Sequence, residues 1–154
     1  MRFWDRITGG AATVTIELDK PLYMPGETVN VRATVTANGD FEAKSALVSL
    51  WGEEEVRFSV PRLDDEGHQV GQQDEYEQNR TVRAEQRLPG PIKLGAGQQH
   101  AIEAQLHVPL NAPPTYAGPK ATHSYNLKVE LDVAWSANSG QTVTFAVGLA
   151  GPDA

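Results

Sequence analysis

The sequence predicts an all-β fold, a two-sheet antiparallel β-sandwich, on three observations. Apolar residues recur at every second position in several separate runs, which places successive side chains on opposite faces of a pleated strand. Clusters of Gly, Pro, Asn and Asp stand between those runs, where the chain must reverse. No stretch of ordinary helix length carries the apolar stripe that a core-facing helix needs.

Each segment has its own reason. Residues 1–10 are expected to form an arm or short helix outside the sandwich, because Phe3, Trp4 and Ile7 share a helical face before Gly9-Gly10 ends it. The sandwich is expected to occupy residues 11–150, with 151–154 as a tail. Val14, Ile16 and Leu18 make the first alternating run, and Val29, Val31, Ala33 and Val35 follow the turn at Pro25-Gly26-Glu27. Ala46-Leu47-Val48-Ser49-Leu50-Trp51 is apolar on both parities, as a central strand contacted from both sides would be, and Gly52 marks a bulge at its end. Val56, Phe58 and Val60 alternate again. Residues 62–79 carry Asp64, Asp65, Glu66, Asp74, Glu75 and Glu77 among Gly, Gln and His, which reads as a long acidic surface loop. Ile102, Ala104, Leu106 and Val108 resume the alternation. The clearest strand is Tyr125, Leu127, Val129, Leu131, Val133 and Trp135, with polar residues between, and Val143, Phe145 and Val147 close the series. Trp51 and Trp135 are both expected in the core. A one-residue slip would turn every apolar side chain to solvent, so this patterning fixes register and calls for antiparallel sheets with one covered face.

Composition excludes several functions. At 154 residues the chain fits one domain, long enough to be stable without disulfides or a structural metal. It has no Cys, which removes thiol catalysis and cysteine-ligated zinc and fits a reducing, cytoplasmic setting. A formal charge of −7 disfavours nucleic acid as a partner. No apolar run reaches the length of a signal peptide or membrane span, so integral membrane association is not expected.

Two motifs carry a resemblance to a known family. Lys20-Pro21-Leu22-Tyr23-Met24-Pro25-Gly26-Glu27-Thr28-Val29 resembles the first hairpin of arrestin-like domains, with Tyr23, Pro25 and Gly26 at its turn. Pro113-Pro114-Thr115-Tyr116-Ala117-Gly118, followed by the strand that opens at Ser124-Tyr125, resembles the family's proline-tyrosine-glycine loop. Order and spacing agree with a single lobe of N-terminal type. The N-terminal segment is most similar to bacterial sporulation-control proteins of that fold. The resemblance implies an immunoglobulin-like sandwich and non-enzymatic adaptor or scaffold work in regulation. It carries over no binding residue, because the lysine pair of phosphate-sensing arrestins has no counterpart at Ala12-Thr13-Val14-Thr15-Ile16-Glu17-Leu18.

The remaining candidates are weighed against ordinary roles. His107 falls on the wet parity of its strand, and His100 and His123 sit at strand starts, where solvent contact or capping explains them. The chain has no nucleophile-elbow motif, so no catalytic residue is assigned. Asp64-Asp65-Glu66 lacks the alternating spacing of a calcium loop, and neither metal nor cofactor is expected. Pro113-Pro114-Thr115-Tyr116 matches a WW-domain ligand, but two prolines also pre-set a rigid structural loop. The surfaces expected to bind a protein partner, or a second copy as a homodimer, are Phe3, Trp4 and Ile7 in the arm and Asp64, Asp65 and Glu66 in the acidic segment. The alternative is a small-ligand or carbohydrate-binding sandwich that uses exposed aromatic rings.

Overall fold

A computed structural model describes residues 12–133 and 139–149. Phe3, Trp4, Ile7 and Trp135 lie outside the described residues. The elements are β1 (Ala12–Leu18), β2 (Leu22–Tyr23), β3 (Thr28–Ala37), β4 (Phe41–Leu63), β5 (Gln69–Leu94), β6 (Gln99–His107), β7 (Tyr116–Ala117), β8 (Ala121–Val133) and β9 (Ser139–Val147). They form two sheets. One has the order β1-β3-β6, and the other runs β2-β9-β8-β4-β5, with β7 also on β8.

The alternation read from the sequence decides what faces inward. Val14, Ile16 and Leu18 from β1, Val29, Val31, Ala33 and Val35 from β3, and Ile102, Ala104 and Leu106 from β6 are buried on one side. Ala46, Val48 and Leu50, then Tyr125, Leu127, Val129 and Leu131, then Val143, Phe145 and Val147 meet them from the other sheet. These branched and aromatic side chains form one continuous core, the two-sheet sandwich expected of this pattern and, with the family resemblance, of an immunoglobulin-like fold.

β4 is the central strand, with β8 on one side and β5 on the other. The predicted bulge is displaced onto the neighbouring strand: from Trp51↔Arg83 to Glu53↔Arg80 the extra residue belongs to β5, opposite Gly52, while β4 keeps its register with β8. Trp51 departs from expectation. It sits on the outer, odd-numbered parity of β4, half-buried, with the Arg80 guanidinium 4.9 Å over its ring. Contact with the cation and its stem shields the indole without placing it in the core.

The largest correction concerns residues 62–79. They form a β-ribbon, and the loop shrinks to the turn between Leu63 and Gln69. β4 and β5 stay paired from Phe41↔Leu94 out to Leu63↔Gln69. β8 leaves β4 at Val56↔Ala121, with a last backbone bond from Arg57 N to Lys120 O at 2.7 Å, so from Phe58 onward the two strands form a ribbon without a third strand. Seven further β4 residues, Arg57 to Leu63, carry it about 23 Å beyond Val56. The run Val56, Phe58, Val60 is correspondingly not core: Val56 and Val60 are half-buried and Phe58 is 37% exposed.

Candidate functional site

Three features meet at the end of the sandwich from which the ribbon projects. The first is the hairpin between β2 and β3. Gly26 has φ of +86°, the left-handed region that favours glycine, and it is this backbone conformation that calls for glycine at the turn. Its backbone is tied to the far side, with Gly26 N donating to Val108 O at 2.8 Å and Val108 N donating to Glu27 O at 2.9 Å. Glu27 Oε1 accepts from Met24 N at 3.0 Å, and its other oxygen pairs with Lys20 Nζ. The fully buried Tyr23 donates its hydroxyl to Asp19 Oδ1 at 2.5 Å.

The second feature is the Pro113–Tyr116 loop, held by carbonyls that proline still offers as acceptors. Tyr125 Oη donates to Pro113 O at 2.5 Å, and His123 Nδ1 lies 3.0 Å from Pro114 O. A carbonyl accepts only, so Nδ1 carries the proton, and in the neutral ring Nε2 then accepts from Thr81 Oγ1 at 2.6 Å. His123 is 1% exposed, which corrects the expectation of a capping or solvated residue. Thr115 N donates to Val147 O at 2.7 Å, and Gly118 N closes the turn into β8 by donating to Ala121 O at 2.8 Å. With its carbonyls and amides engaged, this segment serves as a structural brace, and a WW-type reading would require it to be free.

The aromatic rings link these two features into one ladder. Tyr23 meets Phe145 edge-on at 5.6 Å, Phe145 meets Tyr125 at 5.5 Å, Tyr125 meets His123 at 4.9 Å, and His123 stacks on Tyr116 at 5.9 Å. The ladder ends on the ribbon. Tyr116 Oη donates to Glu54 Oε2 of β4 at 3.1 Å, while His123 holds Thr81 of β5. Both strands are thus pinned at their root, and Gly52 makes the close approach possible: a Cβ there would lie 2.4 Å from Thr81 Oγ1 and 3.0 Å from His123 Nε2.

This construction sets the pH range of stability. Burial tends to raise the Asp19 pKa, but hydrogen bonds from Tyr23 and from the side chain and backbone of Asn30 outweigh it and hold it below 3.8. Asp19 therefore stabilises the fold above its unfolded pKa, and that contribution is lost as pH falls through the lowered folded value. Burial raises Tyr125 to about 12. Its contribution is complete below its unfolded value of 10.0 and is lost as pH rises through about 12. The melting midpoint, followed by circular dichroism against pH, is expected to hold level between the two unfolded values, 3.8 and 10.0, and to fall on either side of them. In Tyr125→Phe the fall on the alkaline side is expected to be shallower; an unchanged alkaline limb would remove Tyr125 as its source.

The third feature is the ribbon itself. Asp64, Asp65 and Glu66 lie in its terminal turn, and Asp64 is structural: its Oδ1 accepts from Glu66 N at 3.0 Å and His68 N at 2.8 Å. Asp65 and Glu66 are exposed. Among the described residues, no three His, Cys, Asp or Glu groups are arranged to hold a metal ion. Larger apolar groups lie on the stem, with Leu63 59%, Val70 59% and Tyr76 66% exposed in addition to Phe58. The sequence reading did not identify them as a site, although Phe58 and Tyr76 stand out among acidic and amide side chains.

A groove of about 850 Å³ lies elsewhere, lined by Glu17, Asp19, Arg32, Glu103 and His107 among others. No Phe, Tyr or Trp is in its wall, so it lacks the ring on which a sugar would stack.

The chain matches the family model described as arrestin (or S-antigen), C-terminal domain, over residues 8–147. That model describes the C-terminal domain, where the hairpin suggested a lobe of N-terminal type. No curated protein matches the chain. Its fold is similar to that of Spo0M, a sporulation control protein from Bacillus subtilis, with a TM-score of 0.62 and 18% identity, covering 92% of this chain and 51% of that one. This chain spans about half the length of Spo0M, and at that identity the likeness speaks to fold. The family match covers nearly all of the sandwich, and the chain belongs to the arrestin C-terminal domain family.

Proposed function

We propose that this protein is a non-enzymatic adaptor that binds another protein through the β4–β5 ribbon, in a regulatory setting of the kind that sporulation control represents. One observation carries the reading. A two-stranded ribbon in water gains little stability by itself, yet this one keeps Phe58, Val70 and Tyr76 exposed beyond the sandwich. Exposed apolar groups on strands with open edges favour pairing with another chain, by strand addition or by burial of the rings. The core does not require them. The buried polar brace at the root holds the ribbon in a fixed direction, which limits the ordering entropy lost when a partner docks. Adaptor work fits membership of the arrestin family, and a cytoplasmic setting fits the Cys-free composition.

Photo-crosslinking tests this proposal. A photoreactive phenylalanine analogue in place of Tyr76 is expected to capture a discrete partner in cells, while the same group at Thr15 on the opposite sheet captures none. Equal capture at both positions, or none at Tyr76, would overturn it.

A further inference from the structure

The inner face of the ribbon has a defined chemistry, because residues directly opposite in an antiparallel pair share a face. Along β4 the row is Val56, Phe58 and Val60. Across from them on β5 stand Glu77, Glu75 and Gln73. An apolar row therefore runs beside an acidic one. Glu75 and Glu77 are exposed, and among the described residues neither has a cationic partner. Two strand residues apart, their positions are separated by about 6.6 Å. The complement is a segment with large apolar groups on one face and two cations spaced by a similar distance along its flank.

The chain contains such a segment at Arg2-Phe3-Trp4-Asp5-Arg6-Ile7. In a helical turn Phe3, Trp4 and Ile7 share a face, and Arg2 and Arg6, four residues apart, are separated by about 6 Å along the axis. A chain's own segment falls short of its own ribbon. Ala12 pairs with Ala37, beside the turn that leads into β4 at Phe41, and Phe58 lies 17 residues further along β4, about 56 Å away along an extended strand. The nine residues from Phe3 to Ala12 span at most about 32 Å.

We propose that residues 2–7 of one copy dock on the inner face of the ribbon of a second copy, with Phe3, Trp4 and Ile7 against Val56, Phe58 and Val60, and with Arg2 and Arg6 against Glu75 and Glu77. Ala12, where the segment joins β1, and the ribbon lie at opposite ends of the sandwich, so two copies side by side in antiparallel orientation can exchange both contacts and close as a dimer. The proposal rests on the ribbon being a docking surface and adds the identity of its occupant.

Sedimentation equilibrium on the full chain tests it. The unaltered protein is expected to self-associate in the micromolar range. Arg2→Glu with Arg6→Glu, and separately Glu75→Arg with Glu77→Arg, are each expected to weaken association roughly tenfold or more. An equimolar mixture of the two variants is expected to recover it, because each then meets the opposite charge. Glu75 and Glu77 are exposed, and circular dichroism checks that every variant folds. A monomeric unaltered protein, association indifferent to both charge reversals, or a mixture that stays monomeric would each overturn the proposal. If the unaltered protein is monomeric while the Tyr76 probe still captures a foreign protein, the ribbon remains a docking surface and only the occupant proposed here is wrong.

Discussion

Leu127→Ala is expected to destabilise the protein by about 2–5 kcal/mol, whereas Phe58→Ala costs about 1 kcal/mol or less. Leu127 is fully buried in β8, opposite Leu50 on the central strand and Val143 on β9, so truncation leaves a cavity that neighbours on three strands cannot fill. For a chain of this length the loss lowers the melting midpoint by roughly 5–20 °C. Phe58 is a larger residue in the same period-two pattern, but no third strand pairs with β4 at its position and it is 37% exposed. Chemical denaturation of the two variants side by side checks the difference. Equal losses would mean that the ribbon belongs to the core.

Gly52→Ala is the second large effect, because the added methyl would lie 2.4 Å from Thr81 Oγ1 and 3.1 Å from Val82 Cγ2. Thr81 can turn away only by giving up His123 Nε2, and an unsatisfied buried nitrogen costs about 1–3 kcal/mol. Overpacking adds a similar amount. The expected total is about 2–5 kcal/mol, accompanied by a change in the imidazole resonances of His123 as its hydrogen bond breaks. Thr81→Ala in the Gly52→Ala background is expected to recover part of the packing loss but not the hydrogen bond. If Gly52→Ala left the His123 resonances in place, the bulge would not be organised around that contact.

The core was legible because its chemistry is local. β1 and β3 alternate strictly, β6, β8 and β9 do so over most of their length, and the burial pattern follows that parity with exceptions only toward their ends, such as the exposed His100 and the half-buried Val133. The brace at the ribbon root was only partly legible. Pro113, Pro114 and Tyr116 signal a rigid loop, and His123 falls on the dry parity of the Tyr125–Leu131 alternation, a local sign of burial that its place at the strand start obscured; its pairing with Thr81, far away in sequence, carries no local sign. The ribbon was misread for a different reason. Apolar alternation reports a strand with one dry face, whereas the outer half of β5 is wet on both faces: Gln72, Gln73, Asp74, Glu75, Glu77 and Gln78 are all exposed. Its strand character comes from backbone pairing with β4, and polar composition alone resembles a loop. The same blind spot affected Val56, Phe58 and Val60, whose alternation signals a covered face that the sandwich does not cover.

The ribbon is an appendage rooted in the sandwich, and its outer part lies free of the core. Native-state hydrogen exchange measures this directly. The amides from Phe58 to Leu63, other than Pro61, and from Gln69 to Tyr76 are expected to exchange through local opening, well before those of Ala46, Val48, Leu127 and Val129, whose protection follows global unfolding. If the ribbon amides exchanged only with the core, at the same free energy and with the same denaturant dependence, the ribbon would be part of the cooperative unit and the account of it as a projecting docking surface would be contradicted.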